Sequence, residues 1–313
     1  MSQNKSVLSI TLNPALDLTG QLEQLKIGKV NSITEANLHP AGKGVNVAKV
    51  LAELGAKVTV SGFLGLENAS AFEHLFESQG INDEFIRVAG TTRTNVKIVE
   101  ANGEVSDLNF PGFSVDAADI ASFEQKLLEL CQHHSYVVFA GSLAKGVSPE
   151  QLADWIRLAK VQGCTVLVDT SGAALAAAIK AQPSMIKPNQ DELEELFQRQ
   201  FSSVEAIKQA CEDLAKQDIQ HIVLSRGEQG SLWLHQQQWL QAQPPKMKVV
   251  STVGAGDTFV ASFCWGLLQE FNATEQLNFA TAMSALAVAQ ANVGLPAQKE
   301  LERVLQQTTI TQH

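Results

Sequence analysis

Cysteine is scarce in this sequence, and several familiar motifs are missing from it. The four cysteines are far apart and none forms a Cys-x-x-Cys pair, which argues against a zinc site and against a disulfide framework. The chain also lacks a long apolar run, a signal-peptide core and a P-loop of the Gly-x-x-x-x-Gly-Lys-Ser/Thr type. We therefore expect a soluble, cytoplasmic protein that has no membrane partner.

Basic residues are too few to form a surface that binds nucleic acid. The chain of 313 residues has 23 Lys and Arg against 33 Asp and Glu, a formal net charge of −10. No cluster of basic residues follows one helix or one segment, so DNA and RNA are not expected as partners. A small anion could still bind through a few converging cations and backbone N–H groups.

Short apolar or β-branched runs alternate with segments of helical periodicity along most of the chain. These runs cover residues 7–12, 58–64, 136–140, 165–169, 185–187 and 221–225. Such alternation is typical of an α/β fold in which helices cover a mainly parallel sheet. The length fits a single domain over residues 1–313.

Two insertions, at about residues 14–40 and 85–112, interrupt this alternation. In the second, the runs 94–99 and 105–110 flank a turn that contains Asn102-Gly103. An Asn-Gly pair between alternating runs predicts a β-hairpin. We therefore expect both insertions to form a small β-sheet lid at one edge of the main sheet.

A glycine-rich turn near the C-terminus predicts an anion site. Gly254-Ala255-Gly256-Asp257 opens a segment, residues 258–269, that has no charged side chain and reads as a buried helix. Free N–H groups at the start of a helix favour an anion, and Asp257 in the same turn could accept the proton of an attacking hydroxyl. A plain glycine-rich helix cap with a dipole-favouring Asp257 is the alternative for this motif alone.

A second glycine cluster opens a helix earlier in the chain. Gly42-Lys43-Gly44-Val45-Asn46 is followed by an apolar stripe that ends at Gly55. Asn46 can both donate to and accept from sugar hydroxyls, and Lys43 adds a mobile cation. Taken alone, Asn46 is better explained as a polar cap residue than as a ligand contact.

Together these two glycine segments resemble the two signatures of the ribokinase-like pfkB carbohydrate kinases. Four further segments fit in the same order. They are Asn13-Pro14-Ala15-Leu16-Asp17, Gly141-Ser142-Leu143, Lys187-Pro188-Asn189-Gln190-Asp191-Glu192 and Ser225-Arg226-Gly227-Glu228-Gln229-Gly230. The resemblance covers nearly the whole chain and implies a three-layer α/β/α sandwich with a mainly parallel central sheet and a small β-sheet lid. It also implies an ATP-dependent sugar kinase that requires Mg²⁺ and forms a homodimer through the lid.

The resemblance further implies a role for individual residues. Asp257 is the expected catalytic base, and the N–H groups of Gly254, Ala255 and Gly256 form the anion hole. The expected nucleotide-binding residues are Lys187, Asn189, Ser225, Gly227, Gly230, Val253, Gly256 and Asn278. Asn189 and Glu192 match an Asn-x-x-Glu motif that organises Mg²⁺ through water, although Glu192 alone would read as a surface helix residue.

A potassium site is a further expectation from the family. Its candidate residues are Ser251, Val253, Ala289, Asn292 and Gly294. Many members have Asp where this chain has Ser251, which leaves the monovalent-cation site open. An Ala-rich helix is predicted over residues 278–292 as the wall of the adenine pocket.

The expected substrate is a hexose that already carries a phosphate. The expected sugar-binding residues are Asp17, Lys29, Gly42, Lys43, Asn46, Arg93 and Ser142. Lys29, Lys43 and Arg93 are cations placed to meet that phosphate, and Arg93 can bind it with two parallel hydrogen bonds. The pattern is closest to members that phosphorylate fructose 1-phosphate at the 6-hydroxyl. The alternatives are fructose 6-phosphate or tagatose 6-phosphate as substrate, and a non-catalytic sugar-phosphate sensor.

Overall fold

The computed structural model describes residues 6–290 and 292–312. The strands are β1 Ser6–Thr11, β2 Ala15–Leu22, β3 Glu35–Ala41, β4 Lys57–Gly65, β5 Asn82–Asp83, β6 Ile86–Val88, β7 Arg93–Glu100, β8 Val105–Leu108, β9 Tyr136–Ala140, β10 Thr165–Asp169, β11 Met185–Ile186, β12 His221–Ser225, β13 Ser231–His235, β14 Gln238–Gln243 and β15 Thr309–Gln312. The helices are α1 Lys43–Glu53, α2 Ser70–Gln79, α3 Ala117–Cys131, α4 Pro149–Val161, α5 Gly172–Lys180, α6 Gln190–Phe197, α7 Val204–Ala215, α8 Ala255–Leu268, α9 Ala273–Ala287 and α10 Gln298–Gln307. Within these ranges no helix has both the length and the apolar character needed to cross a membrane.

The main sheet has eleven strands in the order β15-β14-β13-β12-β11-β10-β9-β1-β4-β5, with β6 also paired to β4. The strands from β12 to β5 pair in parallel. The strands β13, β14 and β15 extend the sheet in antiparallel pairing. Parallel strands bring their carboxyl ends to one edge of the sheet, and ligands bind at that edge in open α/β folds.

Each face of the main sheet is covered by helices and carries its own apolar core. One core lies under α3, α4, α5, α6 and α7 and includes Phe63, Phe123 and Trp155. The other lies under α1, α2, α8 and α9 and includes Phe72 and Phe263. Two cores on opposite faces of one sheet define a three-layer α/β/α sandwich, which confirms the predicted fold class.

A separate sheet of four strands, in the order β3-β2-β7-β8, forms the lid. Its hairpin β7–β8 turns at residues 101–104, close to the predicted turn. Strand β2 joins the two insertions by pairing antiparallel with β3 and in parallel with β7. The short strand β6, which falls within the predicted second insertion, pairs with β4 of the main sheet instead.

Candidate active site

The N-terminus of α8, which is the predicted anion site, lies beside a buried carboxylate. Gly254 caps the helix with φ of 78°, a left-handed conformation that favours glycine. A Cβ at Gly254 would come within 2.2 Å of Val293 Cγ2, so the position has no room for a side chain. Asp257 lies in the first turn and only 6% of its surface is exposed. The glycine-rich sequence therefore keeps side chains away from the N–H groups of residues 254–256 next to Asp257; of these, the Ala255 N–H makes a long bond of 3.4 Å to Thr252 O.

Asn46 of α1 meets Asp257 directly, although the two residues are far apart in the sequence. Asn46 Nδ2 donates to Asp257 Oδ2 over 2.7 Å. Helix α1 reaches this position because Gly44 packs against β1, where an added Cβ would lie 2.3 Å from Thr11 Oγ1. The hydrogen bond orients the Asp257 carboxylate and leaves its other oxygen, Oδ1, for a ligand.

The surroundings of Asp257 tune its basicity. Burial, together with the nearby negative charge of Asp169, raises the pKa of Asp257 to about 6. The hydrogen bond from Asn46 and the charges of Lys43 and Lys187 lower the pKa of Asp257 and so limit this rise. A carboxylate with a pKa near 6 is ionised at neutral pH and is still basic enough to accept a proton in the transition state.

A buried aspartate that the sequence analysis did not select holds two of the predicted lysines. Asp169 is 1% exposed, and its Oδ1 lies 3.3 Å from Lys43 Nζ and 3.4 Å from Lys187 Nζ. Its other oxygen, Oδ2, has no hydrogen-bond partner among the described residues. Burial acts to lower the pKa of Lys43, but Asp169 and Asp257 outweigh it, so the pKa of Lys43 rises and its ammonium stays charged.

Asn189 and Glu192 form a reciprocal capping box at the start of α6. Asn189 Oδ1 accepts from the Glu192 N–H over 2.8 Å, and Glu192 Oε2 accepts from the Asn189 N–H over 2.9 Å. This contact accounts for both side chains as helix caps. It also fixes them beside Lys43, whose pKa the charge of Glu192 helps to raise. The second carboxylate oxygen of Glu192 makes no hydrogen bond within residues 6–290 and 292–312.

A cavity of about 660 Å³ opens beside the N-terminus of α8. Its lining includes Ser225, Gly227 and Gly230, which are predicted nucleotide-binding residues, and Ala255 and Gly256 of the predicted anion site. Its remaining walls include Pro244, Pro245, Met247, Val249, Phe259, Thr281, Ser284, Ala285 and Val288. The volume and the largely apolar walls suit a flat aromatic group whose polar tail points toward the helix N-terminus.

The Ala-rich helix reaches this cavity with residues other than the predicted Asn278. Helix α9 spans Ala273–Ala287, so it starts five residues before the predicted helix over 278–292. Asn278 Nδ2 donates to the carbonyl of Leu305 in α10, which turns this side chain away from the cavity. The helical wall of the cavity is formed by Thr281, Ser284 and Ala285 instead.

The potassium candidates lie along two neighbouring segments next to the anion site. The Ser251 N–H donates to Val288 O over 3.1 Å, which joins the segments. Val253 is 47% exposed and does not line the cavity. Ala289 follows α9, while Asn292 is exposed. Gly294 packs against Glu53 of α1, whose carboxylate accepts from the Leu295 N–H over 2.6 Å.

The lid brings a second set of polar residues together. Asp17 Oδ2 lies 2.6 Å from Lys97 Nζ, and Asp17 Oδ1 accepts from Asn95 Nδ2 over 3.1 Å. Arg93, a predicted sugar-binding residue, lies on the same strand as Lys97, and it donates to the carbonyls of Asn13 and Pro14 over 3.2 and 3.3 Å. Sequence analysis missed Asn95 and Lys97, although their alternation with Arg93 places all three on one face of β7.

The segment Asn13-Pro14 connects this lid set to the glycine cluster of α1. Asn13 Nδ2 donates to Ser142 Oγ over 3.1 Å. Gly42, with φ of 127°, packs against Pro14, since an added Cβ would lie 3.1 Å from the Cα of that proline. The predicted residues Gly42, Arg93 and Ser142 are therefore grouped around Asn13-Pro14. Lys29 lies apart from them in the exposed β2–β3 loop, where it bonds to Lys26 and Asn31 through its backbone.

A buried carboxylate beside a glycine-rich helix N-terminus, a neighbouring apolar cavity and a polar lid are the features expected of a phosphotransferase of the three-layer α/β/α class. Residues 7–300 match the pfkB family carbohydrate kinase model. The chain belongs to this family, which confirms the resemblance seen in its motifs.

Curated relatives cover almost the whole chain. It is 52% identical over 307 residues to the 1-phosphofructokinase of Vibrio cholerae, covering 98% of this chain and 97% of the relative. It is 43% identical over 303 residues to the 1-phosphofructokinase of Escherichia coli, covering 96% of this chain and 97% of the relative. Among solved structures, phosphofructokinase-2 of Escherichia coli in complex with potassium aligns with a TM-score of 0.89 at 28% identity, covering 96% of this chain and 98% of that one.

Proposed function

We propose that this protein transfers the γ-phosphoryl group of ATP to the 6-hydroxyl of fructose 1-phosphate, giving fructose 1,6-bisphosphate and ADP. Relatives of that activity align over 96–98% of the chain at 43–52% identity. The observation that carries the proposal is the buried Asp257, held by Asn46 at the N-terminus of α8. A sensor that only binds sugar phosphate would not need this carboxylate at a pKa of about 6.

We propose the following sequence of events at the residues of the site. The free oxygen of Asp257 accepts the proton of the sugar hydroxyl as the oxygen attacks phosphorus. The bond from that oxygen to phosphorus forms while the bond to the bridging oxygen of ADP breaks. Backbone N–H groups of Gly254, Ala255 and Gly256 stabilise the negative charge on the transferred group. Asp257 then returns its proton to solvent.

The site also has acceptors suited to Mg²⁺. The unpartnered oxygen of Asp169 and the spare carboxylate oxygen of Glu192 are the hard donors that this ion prefers. No group of three or more His, Cys, Asp or Glu among the described residues is arranged to hold a metal alone. Asn189 and Glu192 would therefore hold the ion through its water molecules rather than as direct ligands. When bound, Mg²⁺ neutralises charge on the phosphates.

We further propose that potassium supports the anion site through Ser251, Val253, Ala289, Asn292 and Gly294. The two segments that carry these residues are hydrogen-bonded to each other and border Gly254. The structural neighbour phosphofructokinase-2 was solved with potassium. Replacing K⁺ by Na⁺ at constant ionic strength should lower kcat; equal rates in the two salts would contradict this role.

The lid has the two-faced pattern of an interface, and we propose that two copies of the chain pair through it. Opposite the Asp17 face, Leu38, Leu18, Val96 and Leu108 form one row across all four strands. Leu38 and Leu108 are 50% and 52% exposed, and a second lid would cover them. Leu108→Asp should convert a dimer to a monomer in sedimentation at micromolar concentration; a monomeric wild type would contradict the proposal.

One substrate panel tests the reaction itself. ADP release should be measured with fructose 1-phosphate, fructose 6-phosphate, tagatose 6-phosphate and free fructose. We expect the highest kcat/KM with fructose 1-phosphate. A higher value with fructose 6-phosphate would favour the alternative acceptor, since a phosphofructokinase-2 complex with fructose 6-phosphate also aligns, with a TM-score of 0.88 and 27% identity. Activity with free fructose alone would exclude a sugar-phosphate kinase.

A further inference from the structure

One face of the lid strand β7 carries three polar side chains in a row. Arg93, Asn95 and Lys97 occupy alternate positions, so they point to the same side of the sheet. In the parallel pairing of β2 with β7, Asp17 lies beside Asn95, and their hydrogen bond shows that Asp17 shares this face. The face that is expected to contact the sugar therefore bears two cations and one carboxylate.

Lys97 is the cation that neutralises this carboxylate. Its ammonium lies 2.6 Å from Asp17 Oδ2, and the two side chains are 17% and 16% exposed. An ion pair that is shielded from solvent to this degree is attenuated by water less than a surface pair. The ammonium has three donors, so two remain for another acceptor.

Asn95 gives an independent sign that a ligand binds at this face. Its Nδ2 donates to Asp17, but its Oδ1 is buried and has no hydrogen-bond partner among the described residues. A buried acceptor without a partner is costly and points to a donor supplied by a ligand. A sugar hydroxyl is such a donor, and it would place the rest of the sugar within reach of Lys97 and Arg93.

The charge balance favours a sugar that carries a phosphate. Without Lys97, the charge of Arg93 would only balance that of the nearby Asp17 carboxylate, and the face would have no net positive charge to attract a phosphate. With Lys97 in place, the face has a net positive charge through Arg93. A free sugar is neutral and gains nothing from this excess positive charge, because its hydroxyls donate to acceptors such as Asp17 and Asn95.

We propose that Lys97 is a specificity-determining residue that selects phosphorylated over unphosphorylated sugars, by neutralising Asp17 and donating to the substrate's phosphate. This inference rests on the proposed function only in that the substrate is a sugar phosphate. It does not depend on which hydroxyl receives the new phosphoryl group.

The test compares two substrates in four variants. Lys97→Met and Lys97→Gln remove the charge, and Lys97→Arg keeps it. The control, Lys57→Met, removes an exposed lysine at the amino end of β4, at the edge of the sheet opposite the site. The ratio of kcat/KM for fructose 1-phosphate to that for fructose should fall ten- to a hundredfold in Lys97→Met and Lys97→Gln. Lys97→Arg and Lys57→Met should keep the ratio within about threefold of wild type.

A second measurement separates recognition of the substrate's phosphate by Lys97 from positioning of Asp17. Calorimetric titration with fructose 1-phosphate in the absence of ATP should show a Kd that is raised at least tenfold in Lys97→Gln, which keeps a donor for Asp17. Equal losses for both sugars would overturn the proposal, because Lys97 would then only position Asp17. An unchanged Kd in Lys97→Gln would overturn it as well.

The same experiment distinguishes this inference from the proposed function. If the wild-type protein is inactive with fructose 1-phosphate but active with another sugar phosphate, the proposed function fails. The ratio is then measured for that sugar phosphate against its unphosphorylated sugar, and Lys97→Gln should still lower it at least tenfold. If the ratio is unchanged while fructose 1-phosphate is the best wild-type substrate, the proposed function stands and the role of Lys97 fails.

Discussion

Two substitutions should move the acid limb of the pH–rate profile in opposite directions, because they change the pKa of the same carboxylate. In the wild type, kcat should fall below about pH 6 as Asp257 becomes protonated. Asn46→Ala removes the 2.7 Å hydrogen bond that favours the charged form of Asp257. The pKa of Asp257 should therefore increase, and the acid limb should move to higher pH. A hydrogen bond to a charged group contributes roughly 1.5–3 kcal/mol, or about one to two pKa units.

Asp169→Asn should shift the acid limb of the pH–rate profile in the opposite direction. It removes the nearby negative charge that helps to raise the pKa of Asp257, and it releases two lysines whose charges lower that pKa. The acid limb should therefore move to lower pH, by roughly one unit for a charge–charge interaction at an effective dielectric constant of about 20. Both substitutions should also reduce the maximal rate, so only the position of the limb is diagnostic.

The assay is the initial rate of ADP release at saturating substrates and constant ionic strength, from pH 5 to pH 9. The phosphate of the substrate titrates near pH 6 as well, but it does so identically with all three proteins. The differences between the variants therefore report on the enzyme. Shifts of both variants in the same direction, or no shift in either, would refute the assignment of the acid limb to Asp257.

Three further substitutions test separate parts of the site. Asp257→Asn should lower kcat by several orders of magnitude in single-turnover experiments. It should also raise the thermal midpoint at pH 8, because the folded state raises the pKa of Asp257 from 3.8 to about 6 and the charged carboxylate therefore destabilises the fold by about 3 kcal/mol above pH 6. This difference in stability should disappear toward pH 4, as the carboxyl becomes protonated in both states. Glu192→Gln keeps the capping acceptor and should increase the Mg²⁺ concentration needed for half-maximal rate, with unchanged affinity for the sugar phosphate. Arg93→Ala should lower kcat/KM for fructose 1-phosphate about ten- to a hundredfold relative to free fructose, with partial recovery in Arg93→Lys; an unchanged ratio would exclude Arg93 as a phosphate ligand.

The parallel part of the main sheet and the lid hairpin could be predicted because their signals are local. All six predicted strands are present, since continuous apolar runs identify strands buried on both faces. The six predicted runs do not include the extension by β13, β14 and β15. Strand β15 comes from the C-terminal end of the chain and pairs with β14 about 70 residues earlier, and no local pattern encodes such a pairing. Helix α9 starts five residues before the predicted helix, because it begins at the capping box of Asn272 and Glu275 and not at the Ala-rich stretch that carries the prediction.

The sequence identifies candidate site residues that lie within a motif. It does not identify residues that only the fold brings into the site. Asp257 and Asn46 lie in glycine-rich segments, and the structure joins them. Asp169 ends an ordinary strand, and its role appears only when β10 places it between two lysines. A general rule would have selected it, because a carboxylate at the carboxyl end of a parallel strand faces the ligand edge of the sheet.

The arrangement of the site explains how an acidic protein can hold an anionic substrate. Each site lysine is paired with a carboxylate that is itself shielded from solvent: Lys43 and Lys187 with Asp169, and Lys97 with Asp17. These carboxylates hold the cations in position before the substrate arrives, so little reorganisation is needed when phosphate groups bind. Because one ammonium has three donors, each lysine can keep its carboxylate partner while it contacts a phosphate. Neutralising Asp169 should therefore weaken ATP binding even though it removes a negative charge from the site, since Lys43 and Lys187 would lose the partner that fixes them. Tighter ATP binding by Asp169→Asn, measured by calorimetry without sugar, would show that simple charge balance outweighs this preorganisation.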